Sequence, residues 1–285
     1  MDFTLTEDQI AYADSARQFA EGVFKPNAAQ WDAEHIFPKD ALKQAGELGF
    51  MGLYTPEEAG GLGMSRLDTS LIVEELAKGC TSTTAFLTIH NMATGMVGRY
   101  GQPALIEEIC PGLVSGEKLA SYCLTEPGAG SDAGNLRSTA RRDGDNYIVN
   151  GSKMFISGAG STDTLVVMLR TGDAGAKGIT AFAIPADSDG ISYGKREEKM
   201  GWNSQPTGTI TFEDVVVPAA NRLGEEGQGF KIAMQGLDGG RINIGTCSIG
   251  TAQAALETAT DYVKERKQFG QALSLIHISE PTRPY

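Results

Sequence analysis

Apolar residues up to about residue 115 recur three and four positions apart, which is the spacing of amphipathic helices. The segment from Thr6 to Gln9 matches a capping box, so we expect it to open the first helix. Pro26 should end or kink that helix. Further helices are expected after Pro38, over 65–78, over 83–100 and from Pro103. The first part of the chain is therefore predicted to be a helical domain.

From about residue 119 the pattern changes, because short apolar runs alternate with turn residues. The residues 143–146, Asp-Gly-Asp-Asn, stand where a hairpin would turn. The apolar runs predict strands over 147–149, 164–169, 179–184 and 209–212. Short strands at this spacing are typical of an antiparallel barrel or sandwich, and the sequence leaves both open.

The helical spacing returns at about Gly229, with Phe230 and Leu237 on one predicted face and a second helical stretch over 253–268. Helices, then strands, then helices indicate an α+β fold and not a dinucleotide-binding βαβ fold. We predict an N-terminal helical domain, a central antiparallel β barrel or sandwich, and the start of a C-terminal helical bundle. Their expected boundaries are 1–118, 119–222 and 223–273.

Composition narrows the class of protein. An apolar content of 41% and a charged content of 21% are those of a soluble globular protein, and no apolar run reaches the length of a membrane span. A net charge of −12 argues against nucleic acid as a partner. Four scattered cysteines and three scattered histidines predict no metal site. The acidic N-terminus lacks a basic or apolar leader, so a cytoplasmic location is expected.

The segment from Tyr122 to Asp132 carries the most specific signal, since it combines hydroxyl groups, Pro127 and two turn glycines in eleven residues. Such a loop exposes backbone N–H groups to a ligand. Gly-Ser-Lys-Met-Phe-Ile-Ser-Gly over 151–158 and Arg-Lys-Gln-Phe-Gly over 266–270 follow in order. Together the three segments resemble the flavin-binding signatures of the acyl-CoA dehydrogenase family.

The resemblance implies FAD as the cofactor. Ordinary explanations stand beside these roles: turn capping for Thr125 and Ser131, a core position for Phe155, and a solvated helix end for Arg266. Members of the family often carry Trp and Thr where this chain has Phe155 and Ser157. The residues implied to contact FAD are Cys123, Leu124, Thr125, Gly130, Ser131, Phe155, Ile156, Ser157 and Arg266.

The segment Leu237–Arg241 is the clue to the substrate. Two adjacent glycines inside a helix cost roughly 1 kcal/mol each relative to Ala, so close packing or a ligand should require them. The resemblance places Ser131, Asp238, Gly239, Gly240 and Arg241 against the acyl-CoA. The residues 239–244 and 201–207 are together most similar to members that act on isobutyryl-CoA in valine breakdown. The alternative is a kinked helix with a surface ion pair between Asp238 and Arg241.

No catalytic residue is assigned. Where some members carry a catalytic Glu, this chain has Gly240, and in most of the family the base is a Glu much further along the chain. By resemblance, that Glu removes the α-proton of a short branched acyl-CoA while the flavin takes the β-hydride. Electrons would pass to an electron-transferring flavoprotein, and members are usually tetramers. The alternatives are a short straight-chain dehydrogenase, an acyl-CoA oxidase and a non-catalytic acyl-CoA-binding remnant.

The resemblance stops at about Leu273, and the residues 274–285 look like translated adapter DNA joined to a truncated gene. Two prolines within four residues make a helix there implausible. His277 and Glu280 are assigned no role. A chain truncated in this way is expected to expose an apolar stripe on its last long helix, to bind FAD weakly or not at all, and to lack dehydrogenase activity.

Overall fold

The computed structural model describes residues 4–276. The predicted capping box is confirmed, since the Thr6 hydroxyl and the Gln9 side chain each accept a hydrogen bond from the other's backbone N–H. Pro26 does not end the helical path, because a π-helical turn over Ala20–Phe24 leads into a second helix with Pro26 in its first turn. The helices of this part are α1 (Glu7–Phe19), α2 (Lys25–Ala33), α3 (Lys39–Glu47), α4 (Arg66–Gly79), α5 (Thr81–Tyr100) and α6 (Pro103–Val114).

Helix α5 is the centre of the molecule and is buried over most of its length. On this helix, His90 connects α5 to α6 and to the first strand of the sheet through hydrogen bonds. Its Nδ1 accepts a 3.0 Å hydrogen bond from the Ala120 N–H, so Nε2 carries the proton and donates to the Leu113 carbonyl oxygen at 3.0 Å. Burial lowers the pKa of His90 to about 4, so the ring is neutral at neutral pH.

The central part forms one eight-stranded sheet, mainly antiparallel as predicted, with parallel pairing of β1 and β2 to β4. The predicted turn is confirmed, with Gly144 at φ 59° between β2 and β3. The strands are β1 (Ala120–Cys123), β2 (Thr139–Asp143), β3 (Asn146–Ser157), β4 (Thr164–Arg170), β5 (Ile179–Pro185), β6 (Ile191–Tyr193), β7 (Thr207–Pro218) and β8 (Arg222–Leu223).

The sheet is not closed, so the barrel alternative is wrong. Its order is β6-β7-β3-β2-β4-β5-β8, and the end strands β6 and β8 do not pair with each other. The sheet still folds over its own core: Tyr147 on β3 meets Phe182 on β5 edge-on, with ring centroids 4.8 Å apart, although two strands separate them.

The last part begins with α7 (Gly229–Glu265), a single helix of 37 residues where two stretches were predicted. Its first half packs on α4 and α5 around Asn243 and Cys247. The expected apolar stripe is present, because Ile242, Ile249 and Leu256 are exposed at seven-residue spacing.

Two short strands, β9 (Lys267–Gln268) and β10 (Gln271–Ala272), follow α7. One turn of helix, α8 (Leu273–Ile276), comes next, although the sequence predicts no helix after Leu273; this turn ends before both prolines. His277 and Glu280 lie outside the described residues. Within 4–276, no helix combines the length and the apolarity needed to cross a membrane.

Candidate active site

A cleft of about 830 Å³ opens where α5, the loop after β1, the end of β3 and the first half of α7 meet. Its volume suits a cofactor or a substrate of moderate size. The lining residues are Thr88, Ile89, Met92, Tyr122, Leu124, Thr125, Gly130, Ser131, Ala133, Phe155, Ile156, Ser157, Phe230, Met234, Leu237, Gly240, Arg241 and Ile244. The cleft therefore unites the first two sequence motifs with the Leu237–Arg241 segment.

A second cleft, of about 870 Å³, lies between α6 and the ends of β4 and β5. It shares no lining residue with the first, and none of the three sequence motifs reaches it. The chemistry indicated by the sequence therefore belongs to the first cleft.

The loop after β1 is held from behind, because the Thr125 carbonyl oxygen accepts a 2.8 Å hydrogen bond from the Met154 N–H. Among the described residues, neither the Thr125 nor the Ser131 hydroxyl hydrogen bonds to the loop, so turn capping does not explain them. The positions of Gly128 and Gly130 adjoin open space. Both hydroxyls and the glycine backbone are thus accessible to a ligand.

Side chains alternate along the end of β1, and this separates Tyr122 from Cys123. Cys123 is fully buried in the core of the sheet, where burial raises the pKa of its thiol to about 12. Its side chain was predicted to contact the cofactor, but it does not line the cleft. Tyr122, which the sequence did not single out, does line it. Its hydroxyl oxygen is buried and has no hydrogen-bond partner in the described chain, and burial raises its pKa. A buried hydroxyl of this kind calls for a partner in the cleft.

Phe155 is not a core residue. It lies in a register shift of β3 against β7, between Lys153 and Ile156, at φ 59° and with 58% of its surface exposed. A phenylalanine in the left-handed region costs about 1–3 kcal/mol of backbone strain, and such strain concentrates at functional sites. The bulge therefore turns an aromatic face into the cleft, where a planar ring system would cover it.

The Ser157 hydroxyl at the end of β3 is oriented by Gln205, a residue of the 201–207 run to which the sequence assigned no individual role. Gln205 Nε2 donates a 2.5 Å hydrogen bond to Ser157 Oγ. The segment carrying Gln205 is itself anchored, because Asn203 donates to the Asp32 carboxylate at 2.8 Å and Lys199 Nζ donates to the Gln205 carbonyl oxygen at 2.5 Å. Since Ser157 Oγ accepts from Gln205, its own proton is free for an acceptor in the cleft.

The two glycines of α7 have different neighbours. A Cβ on Gly240, which lines the cleft, would make an ordinary 3.6 Å contact with Met92 Sδ. A Cβ on Gly239 would collide with the Arg66 guanidinium, which lies 3.8 Å above the Tyr54 ring. Gly239 thus makes room for an arginine of α4, and the structure places it outside the cleft lining assigned to it from the sequence.

The remaining predicted residues lie at the rim or further away. Asp238 and Arg241 form a 2.8 Å ion pair with both side chains exposed, and Arg241 alone lines the cleft. Arg266 caps the far end of α7, about 25 residues beyond Arg241, or roughly 37 Å along the helix. It does not reach the cleft of its own chain.

Family models match almost the whole length of the described chain. The N-terminal domain of acyl-CoA dehydrogenase matches residues 6–117, its middle domain matches 121–215 and its C-terminal domain matches 227–277. An isobutyryl-CoA dehydrogenase of Dictyostelium discoideum is 54% identical over 270 residues, and one of Bos taurus is 52% identical over 270 residues. These alignments cover 94% and 95% of this chain, but the chain spans only 65% of each relative's length.

A solved structure described as PigA with FAD and proline superposes with a TM-score of 0.91 at 31% identity, covering 96% of this chain and 73% of that one. Fold and cleft define a flavin-dependent class of protein. The chain belongs to the acyl-CoA dehydrogenase family, whose cofactor is FAD.

The cleft itself fits a flavin. It offers an exposed aromatic face at Phe155, a free hydroxyl proton at Ser157 and a buried, unpartnered hydroxyl at Tyr122. Fixed donors and one π face are what the polar edge and the planar rings of isoalloxazine require. None of the described residues lining the cleft is a carboxylate or a histidine.

Proposed function

We propose that this chain belongs to an FAD-dependent enzyme that desaturates a short branched acyl-CoA between Cα and Cβ, with isobutyryl-CoA from valine breakdown as the substrate. The observation that supports it best is the cleft, which brings together the Thr125–Ser131 loop, the Phe155–Ser157 segment and Gly240–Arg241. The 52–54% identity to isobutyryl-CoA dehydrogenases supports the choice of substrate.

The flavin side of the cleft would be formed by the sheet. The Ser157 proton and the Thr125 hydroxyl would donate to the cofactor's polar edge, and Phe155 would cover its ring face. Leu124 and Ile156 would add apolar contacts. FAD, when bound, supplies a hydride acceptor, and these residues would hold it at a fixed orientation toward the substrate side of the cleft.

The acyl side would be formed by the helices. Met92 on α5 and Leu237 and Ile244 on α7 are apolar lining residues that suit a short acyl chain. Gly240 leaves room where a side chain would narrow the cleft. Ser131 and Arg241 are polar lining residues that would contact the CoA portion, since Arg is well suited to bind phosphate.

Among the described residues that line this cleft, none is a carboxylate or a histidine that could act as base for the α-proton. We therefore propose that this chain binds FAD weakly and binds acyl-CoA without turning it over, because none of these lining residues is suited to act as a general base. An electron-transferring flavoprotein as the electron acceptor and a tetramer as the active assembly are further proposals, supported by family membership alone.

The test is a titration of the purified chain with FAD, followed by isobutyryl-CoA or butyryl-CoA under anaerobic conditions. We expect quenching of flavin fluorescence, tighter binding of isobutyryl-CoA than of butyryl-CoA, and no bleaching of the flavin absorbance. Tighter binding of butyryl-CoA would refute the branched-chain substrate. A chain that binds neither FAD nor acyl-CoA would refute the proposed site, and rapid bleaching would show that a base is present.

A further inference from the structure

A buried ion pair lies directly behind the cleft and has no part in the function proposed so far. Lys153 on β3 is completely buried. Burial lowers the pKa of its ammonium group, and the Glu126 carboxylate opposes that shift. Its Nζ donates a 2.7 Å hydrogen bond to Glu126 Oε1 and a 3.2 Å hydrogen bond to the Leu124 carbonyl oxygen. A buried cation is tolerated only when its charge and its protons are satisfied in this way.

The Glu126 carboxylate also has several hydrogen-bond donors around it. Besides Lys153, its carboxylate accepts from the Arg137 N–H at 2.6 Å and from the Ser138 N–H at 3.0 Å. Burial opposes ionisation, but Lys153 and these backbone donors hold the pKa of Glu126 below its usual value. The pair therefore fixes the loop at Leu124–Glu126 to β3 on one side and to the segment before β2 on the other.

The hydrogen bond to Leu124 has a consequence for the other face of the loop. The carbonyl oxygen of Leu124 and the N–H of Thr125 belong to one trans peptide and point in opposite directions. Because Lys153 holds the oxygen toward the interior, the Thr125 N–H is directed the other way, toward the cleft. This N–H donates to no acceptor among the described residues, as expected of a group reserved for a ligand.

Lys153 also begins the register shift that exposes Phe155. Two of the cleft's flavin-facing segments, the loop at Thr125 and the bulge at Phe155, are thus joined through one side chain. Loss of the ammonium group would release the loop at Thr125 and loosen its connection to the bulge at Phe155.

We propose that Lys153 and Glu126 are a positioning pair that orients the Leu124–Thr125 peptide so that its N–H binds the flavin. This inference rests on the proposed function, since FAD is the ligand invoked. It assigns to the pair a role in ligand recognition in addition to its role in folding.

The experiment compares the full chain with Lys153→Met, Glu126→Gln and the double variant carrying both. Lys195→Met is the control, because Lys195 lies in the same sheet domain but forms an exposed pair with Glu198. For each protein, FAD affinity is measured by fluorescence quenching, thermal stability without FAD by circular dichroism, and hydrogen exchange over residues 122–132 by mass spectrometry.

A single substitution leaves an uncompensated buried charge and should lower stability, whereas the double variant removes both charges and should recover much of it. The double variant still lacks the donor to Leu124, so we expect its FAD affinity to stay on the order of tenfold weaker than that of the unsubstituted chain, with faster exchange over 122–132. Lys195→Met should behave as the unsubstituted chain.

Recovery of FAD affinity together with stability in the double variant would show a purely structural role and overturn the inference. So would unchanged exchange over 122–132, or failure of both Lys153→Met and the double variant to fold. If the unsubstituted chain does not bind FAD, the proposed function fails as well, and that result is distinct from a chain that binds FAD equally with and without Lys153.

Discussion

Gln205 Nε2 and Ser157 Oγ lie 2.5 Å apart, although 48 residues separate them along the chain. The contact connects the segment before β7 to the end of β3 and determines which way the Ser157 proton points. Ser157 is a predicted flavin contact, and Gln205 acts on it from outside the cleft lining. The hydrogen bond therefore makes Gln205 a residue on which cofactor binding should depend without direct contact.

Gln205→Leu should weaken FAD binding by about three- to tenfold, because the Ser157 hydroxyl loses the donor that orients it. Ser157→Ala should have an effect of similar size. Since both changes remove the same oriented proton, the double variant should bind FAD no more weakly than Ser157→Ala alone. Fluorescence titration of the four proteins measures this, and additive losses would show that the two residues act independently.

Phe155→Ala should weaken FAD binding while leaving the stability of the protein without FAD within about 1 kcal/mol, because an exposed side chain contributes little to the core. Phe212 on β7 is the matched control, since it is 1% exposed. Phe212→Ala should destabilise by about 3–5 kcal/mol. Urea unfolding and FAD titration separate the two effects. A strongly destabilised Phe155→Ala would mean that Phe155 packs in the protein and does not serve the cleft.

The sequence was informative where the determinants are local. The Thr6 capping box, the turn at Gly144 and the alternation of helical and strand spacing depend on neighbouring residues, and the structure contains all three. The loop motif likewise identified Thr125 and Ser131 as cleft residues, because glycines and hydroxyls at fixed spacing describe a loop directly.

Features set by distant contacts could not be read in this way. Periodicity does not show that β6 and β8 fail to meet, which leaves the sheet open, or that a register shift turns Phe155 outward. A lysine within a strand pattern predicts an exposed position, and only the contact with Glu126 explains why Lys153 is buried. The close packing at Gly239 also depends on a distant residue, because the Arg66 guanidinium of α4 occupies the space that a Cβ would need.

Alanine substitutions at the two glycines of α7 should have different effects. Gly240→Ala should raise stability by up to about 1 kcal/mol through helix propensity, since its new Cβ has space, while it narrows the cleft and weakens acyl-CoA binding. Gly239→Ala gains the same propensity but displaces Arg66 from Tyr54. We expect it to be about 1–2 kcal/mol less stable than Gly240→Ala, with acyl-CoA binding nearly unchanged. Equal stability of the two variants would contradict the packing of Arg66 on Gly239.

Stability should fall on acidification through His90. Its pKa is about 4 in the folded chain, below the ordinary value of 6.5, so the unfolded chain takes up a proton first as the pH falls. The stability from this residue is therefore complete above about pH 6.5 and is lost progressively down to about pH 4. The shift corresponds to about 3 kcal/mol.

Urea unfolding between pH 7.5 and pH 4.5 measures this loss. His90→Gln should be less stable at neutral pH, because the ring's hydrogen bonds to Ala120 and Leu113 are disturbed, but it should show a shallower dependence on pH. His35→Asn is the control, since His35 is exposed and Asn tolerates its φ of 55°. It should keep the full pH dependence. If His90→Gln retains the same slope as the unsubstituted chain, the acid sensitivity belongs to other groups and His90 is not its source.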